Sequence, residues 1–168
     1  TMTTENNSWY RGTADAIYQN IDFLRESHEP YVIITSGDCV YKIDFNKMLE
    51  YHINKKADIT VGYTKLAAGQ DDPTRFGVMQ MDTDGRVFGF EEKPVITDNM
   101  TVSTGIYIIR RRLLIGLLEK ANAEERYDFV QDILIRYKDL KRIYGYKIDD
   151  YCRNIASVDD YFQTNMDF

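Results

Sequence analysis

Cysteine is scarce in this chain: only Cys39 and Cys152 occur in 168 residues. The pair matches no metal-binding spacing and is too small for a disulfide framework, which suits a reducing compartment. No apolar run approaches the ~20 residues of a membrane span, and the opening TMTTENNSWY has no apolar core of the signal-peptide kind. The expectation is a cytoplasmic protein without membrane contact. Positive charge is also in deficit. Lys and Arg number 21 against 27 Asp and Glu, a net charge of -6, which disfavours non-specific binding of nucleic acid or anionic lipid. An anionic ligand must therefore be met by local cations. The chain carries no G-x-G-x-x-G or P-loop signature, no internal repeat and no low-complexity tract.

What is present suffices for one buried core, with 43% hydrophobic residues and 13% aromatics. The organising stretch is YVIITSGDCVYK, residues 31–42. Val32, Ile33 and Ile34 form a β-branched run that reads as a strand covered on both faces in a parallel sheet. Gly37 breaks the strand, and Asp38 follows at its carboxyl end, where open α/β sheets place their ligands. A plain turn is the alternative reading of Gly37-Asp38 taken alone. Ala14, Ile17, Tyr18, Ile21 and Leu24 share helical spacing and predict one amphipathic helix over about 14–26. Asp44 reads as the N-cap of a helix over 45–55 that buries Phe45, Met48 and Leu49. With the strand Ile59–Tyr63, residues 31–63 read as one right-handed βαβ unit.

Further on, Val78–Met81 and Val87–Phe90 flank Asp84-Gly85 as a hairpin. Residues 102–109 predict a strand interrupted by Gly105, and 111–120 and 129–138 predict helices with one apolar face each. Residues 143–148 predict a last strand, and Ser157 with Asp160 a capping box opening a helix to about Met166.

Six motifs in order, WYRGTADAIYQN, SGDCVYK, FGVM, FEEKP, STGIY and YDF, resemble the glucose-1-phosphate adenylyltransferases, or ADP-glucose pyrophosphorylases, across nearly the whole chain. The resemblance implies an α/β fold of the Rossmann-like, GT-A-like sugar-nucleotidyltransferase kind, a mixed sheet with flanking helices. It implies a reaction in which glucose 1-phosphate attacks the α-phosphate of ATP, giving ADP-glucose and pyrophosphate with Mg²⁺, in bacterial glycogen synthesis. By the same resemblance Asp38 matches the first metal aspartate, Lys93 the lysine on the sugar phosphate and Glu92 a contact to sugar hydroxyls. Tyr10, Gly12 and Thr13 match the nucleotide-base region, Ser103 and Tyr107 sugar contacts, and Asp128 with Phe129 an Asp-Phe pair near the glucose. Charge builds on phosphate oxygens in such a displacement, so a metal and fixed cations are what the chemistry wants. Each residue also has a plain structural reading. Glu91-Glu92-Lys93 can be a solvated strand end, Ser103 and Asp128 turn or N-cap residues, and Tyr10, Tyr107 and Phe129 packing aromatics.

The segment from Tyr151 to Ser157 aligns with that family's Trp-Arg-Asp-Val-Gly-Thr motif and departs from it. Asn154 stands at the second metal-ligand position, Cys152 replaces the tryptophan and Ala156 the glycine, while Cys39 replaces the histidine after the first aspartate. The resemblance is therefore to the GlgD-type subunit, which pairs with a catalytic paralogue and contributes assembly or regulation more than turnover. The alternatives are a fully active sugar-1-phosphate nucleotidyltransferase when complete, and a Rossmann-like domain without ligand. Family members also begin with a strand and a Gly-rich loop and end in a left-handed β-helix. Residues 1–168 are thus expected to be one partial domain, truncated at its N-terminal strands, with the Tyr31 strand at an edge and a dimer or exchanged strand pairing as consequence. Cys39 and Cys152 flank the two presumed metal positions, which predicts neighbouring thiols.

Overall fold

Apolar side chains on consecutive residues of a strand point to opposite faces of its sheet, so the run Ile106-Tyr107-Ile108-Ile109 demands cover on both sides. The computed structural model describes residues 13–35, 39–41, 43–69, 71–148 and 152–154. Along the chain these form α1 (Thr13–Tyr18), α2 (Ile21–Glu26), β1 (Tyr31–Thr35), β2 (Cys39–Tyr41), α3 (Phe45–Asn54), β3 (Ile59–Lys65), β4 (Gly77–Met81) and β5 (Val87–Glu92). After them come β6 (Thr101–Arg110), α4 (Arg111–Ala123), a π-helix (Val130–Ile135), β7 (Ile143–Lys147) and β8 (Cys152–Asn154). No helix among the described residues is long and apolar enough to cross a membrane.

Six strands make one mixed sheet in the order β5-β4-β6-β3-β7, with β1 also on β6. β6 is the axis. Along one side it pairs with β3; along the other it meets β4 at Val102 and β1 from Ile106 to Arg110. Tyr107 and Ile109 join one core with Ile59, Val61, Leu114, Leu118, Phe129 and Ile133, so α1, α2, α4 and the π-helix cover that face. Ile106 and Ile108 join the opposite core with Met48, Ile148 and the partly buried Phe45 and Leu49, so α3 covers the other. The α/β mixed sheet with flanking helices is the expected fold class.

The predicted hairpin, the α3 cap and the apolar faces of the later helices are all present. Asp44 accepts backbone N–H bonds from Asn46 and Lys47, and Ile133, Leu134 and Tyr137 are buried as their spacing requires. Three expectations are corrected. The single helix over 14–26 is two, because the Asn20 amide donates to the Ala16 carbonyl at 2.9 Å and its backbone leaves helical geometry at ψ 21°. β1 and β3 run parallel but are not neighbours, since β6 lies between them, antiparallel to both; the only parallel neighbours among the described strands are β3 and β7. Nor is β1 covered on both faces. Val32 and Ile34 pack on the helical side, while Ile33, on the other face, stays 43% exposed; in the plane of the sheet, β6 is the one strand partner of β1 among the described residues. That is the edge position the sequence predicts. The helix expected from Ser157 lies outside the described residues.

His52 on α3 is 2% exposed, its Nδ1 2.6 Å from Thr60 Oγ1 and its ring edge-on to Tyr31. Burial lowers its pKa from 6.5 to about 4, the Arg110 charge acts the same way and Asp58 opposes them. The unfolded chain accepts this proton near 6.5 and the folded one resists it. His52 therefore contributes stability above that pH, about 3 kcal/mol, which is lost as pH falls towards 4. Urea midpoints are expected to drop from neutral pH to about 4, and His52→Gln to flatten the drop. Equal slopes in the two proteins contradict this.

Candidate functional site

Ser103 and Tyr107 lie four residues apart on β6, a separation of roughly 13 Å on a regular strand. A bulge shortens that span. Tyr63 pairs with Ser103 and Val61 with Tyr107, so residues 104–106 stand opposite Gly62 alone. Gly105 permits the kink with φ +76°, a conformation L side chains rarely adopt. Gly62 faces it without room for a side chain: a Cβ there would come 2.9 Å from Thr104 Oγ1 and 2.6 Å from Ile148 Cδ1. The Thr104 hydroxyl instead donates to the Gly62 carbonyl at 2.7 Å, and Ser103 Oγ accepts the Gly105 N–H at 3.2 Å.

Tyr107 is buried against Phe129, ring centroids 5.0 Å apart at 52°. Burial pushes its phenol up to about 12; the Ser103 hydroxyl pulls the other way, and the Glu92 and Asp128 charges push up further. The hydroxyl keeps its proton at neutral pH. Glu92, the half-buried last residue of β5, has its carboxyl raised, first by burial, with Lys93 opposing and Asp128 adding to the rise. Lys93 is exposed and sits at φ +46°, which costs a non-glycine residue roughly 1–2 kcal/mol. Its backbone N–H donates to the Phe76 carbonyl at 3.0 Å. The end of β5, the bulged part of β6 and the entry to the π-helix thus bring Glu92, Lys93, Ser103, Tyr107, Asp128 and Phe129 to one end of the sheet.

At the helix entry Asp128 Oδ1 accepts the Gln131 N–H at 3.0 Å, so the plain N-cap reading of Asp128 holds alongside the functional one. The Asp128 N–H donates to Asp132 Oδ2 at 3.0 Å, and the Phe129 N–H to Thr13 Oγ1 at 3.1 Å. Asp132 was not among the candidates read from sequence. The Asp128-x-x-Gln131 spacing of a capping box would name Gln131 as the side chain that reaches back, and in the structure Asp132 does so instead.

Tyr10, Gly12 and Asp38 lie outside the described residues. The backbones of β2 and β8 pair antiparallel with Cys39 opposite Asn154, so the residue after Asp38 is carried across from the second presumed ligand position. Cys152 pairs with Tyr41, two positions from Cys39's partner. That diagonal is typically about 7–8 Å, beyond the roughly 4.4–6.8 Å that a disulfide spans. Among the described residues no group of three or more His, Cys, Asp or Glu could hold a metal.

A family profile described as nucleotidyl transferase matches residues 1–168. The chain belongs to the nucleotidyl transferase family. Glucose-1-phosphate adenylyltransferase of Bacillus subtilis (strain 168) is 38% identical over 162 residues, covering 95% of this chain and 42% of that protein. The proteins of the same name from Lachnospira eligens and Desulfitobacterium hafniense are 35% and 36% identical, covering 98% and 95% of this chain and 38% and 40% of those proteins. This nucleotidyl transferase chain therefore spans about two fifths of the length of the curated relatives it matches. The α/β sheet with helices on both faces is consistent with a nucleotidyltransferase fold.

Proposed function

We propose that the chain is part of a glucose-1-phosphate adenylyltransferase subunit of the GlgD type, which binds glucose 1-phosphate and ATP or ADP-glucose but turns them over weakly. The observation that carries the substrate class is the convergence of Glu92, Lys93, Ser103, Tyr107, Asp128 and Phe129 at one end of the sheet. A protonated phenol, a hydroxyl and carboxylates suit sugar hydroxyls, and an exposed lysine beside them suits a phosphate. Weak turnover rests on Asn154, which stands where the resemblance has an aspartate and whose backbone is opposite Cys39, the residue after Asp38 in the sequence. Mg²⁺ is a hard cation held by one or two carboxylates together with substrate phosphates. Asp38 would supply a carboxylate and Asn154 a neutral amide oxygen, a donor set one charge short. The ion, when bound, neutralises charge on the phosphates. A catalytic paralogue is the proposed partner, within an oligomer that functions in glycogen synthesis.

Calorimetry with each ligand and a pyrophosphate-release assay with ATP, glucose 1-phosphate and Mg²⁺ test this reading. The expected result is measurable sugar-phosphate binding with release no faster than in Asp38→Asn. The retained Asp38 and Lys93 support a second reading, a fully active sugar-1-phosphate nucleotidyltransferase, and release far above that control would favour it. Absence of binding by either ligand would overturn both and leave a Rossmann-like domain without ligand.

A further inference from the structure

The first N–H groups of a helix have no partner within it, and a site built on those residues is as well ordered as the groups that satisfy them. At the π-helix entry two successive N–H groups are claimed by side chains from different places. Asp132 Oδ2 accepts from Asp128 at 3.0 Å, and Thr13 Oγ1, at the start of α1, accepts from Phe129 at 3.1 Å. Asp128 Oδ1 closes the turn onto the Gln131 N–H, and the Ala14 N–H donates to the Tyr127 carbonyl at 2.9 Å. The Asp132 side chain is 18% exposed, with the Arg126 guanidinium 3.5 Å from its other oxygen. Arg126 is in turn 3.0 Å from Glu124, which also holds Arg136. Asp132 is thus a charged acceptor fixed on its far side by a cation and on its near side by the backbone of Asp128.

We propose that Asp132 is a positioning residue for the sugar end of the site, acting through the backbone of Asp128 and Phe129; this rests on the sugar-phosphate reading given above. Asp132 is not in the buried cluster that joins Phe129, Ile133 and Leu134 to the sheet, so its removal leaves that apolar packing in place. What it removes is the constraint on the turn that sets Asp128 near Tyr107 and Glu92 and seats the Phe129 ring on Tyr107. The π-helical stretch directly after the turn is a form that recurs at functional sites.

The test measures glucose 1-phosphate affinity by calorimetry and amide hydrogen exchange at Asp128. Asp132→Ala is expected to weaken the sugar phosphate about tenfold, the size of one lost charge-assisted hydrogen bond, and to speed exchange at Asp128. Asp132→Asn keeps an acceptor oxygen and is expected to restore most of the affinity. Arg136→Ala, which loosens the same helix through Glu124 without touching Asp128, serves as control. If the wild-type chain binds and Asp132→Ala loses no more affinity than Arg136→Ala, the inference is overturned while the substrate reading stands. An equal loss in Asp132→Asn and Asp132→Ala also overturns it. If the wild-type chain binds no glucose 1-phosphate, the substrate reading fails and the inference fails with it.

Discussion

Asn154→Asp combined with Cys152→Trp is expected to raise pyrophosphate release from ATP and glucose 1-phosphate by about 100-fold or more. Removing a single preorganised contact to developing charge typically costs about 100- to 1,000-fold in rate, and supplying one reverses that sign. Asn154 offers a neutral oxygen where a carboxylate would bring a full charge to a hard divalent cation. Its backbone lies opposite Cys39, the residue that follows Asp38 in the sequence, and on the proposed reading the new carboxylate would complete the donor set with Asp38. On the proposed reading, the tryptophan would add a large apolar wall beside the sugar ring. The two changes belong together, because charge helps only a substrate that is held in place. An unchanged rate in a double variant that still binds both substrates would show that turnover is limited elsewhere.

Lys93→Gln is expected to weaken glucose 1-phosphate binding on the order of 100-fold, with ATP affinity little changed and Lys93→Arg retaining most of the binding. The chain has a net charge of -6, so a dianionic sugar phosphate gains nothing from the overall field and depends on the cation beside it. Lys93 is held at φ +46° directly after the last residue of β5, with its N–H on the Phe76 carbonyl. Strain of this kind persists where the surrounding structure over-determines it, and such positions cluster at ligand sites. Calorimetry on the three proteins checks the prediction. Equal affinity in Lys93→Gln and wild type would place the phosphate elsewhere.

Much of the fold could be read from sequence because the relevant signals are local. The apolar periods of residues 111–120 and 129–138, the Asp44 cap and the Asp84-Gly85 turn each act over a few residues, and each is present. The resemblance in FEEKP, STGIY and YDF, rather than any local period, singled out six residues that lie near one end of the sheet. What escaped is what strand order and neighbours decide. Insertion of β6 between β1 and β3 leaves no trace in the periodicity of either strand. The bulge between Ser103 and Tyr107 needs Gly105 and Gly62 from different strands, and only the first announces itself as a break in an apolar run. Asp132 was hidden because its role runs through the backbone of another residue. Asp38, Tyr10 and Gly12 lie outside the described residues, so their roles remain part of the proposal.

The most direct measurement is a titration of the isotopically labelled chain with glucose 1-phosphate, followed residue by residue through its backbone amide resonances. The account predicts shifts concentrated at Glu92 and Lys93, from Ser103 to Tyr107 and from Tyr127 to Phe129. Spectra that stay unchanged, or shifts gathered instead around Lys55, Asp84 and Arg142 at the opposite end of β3, would contradict it.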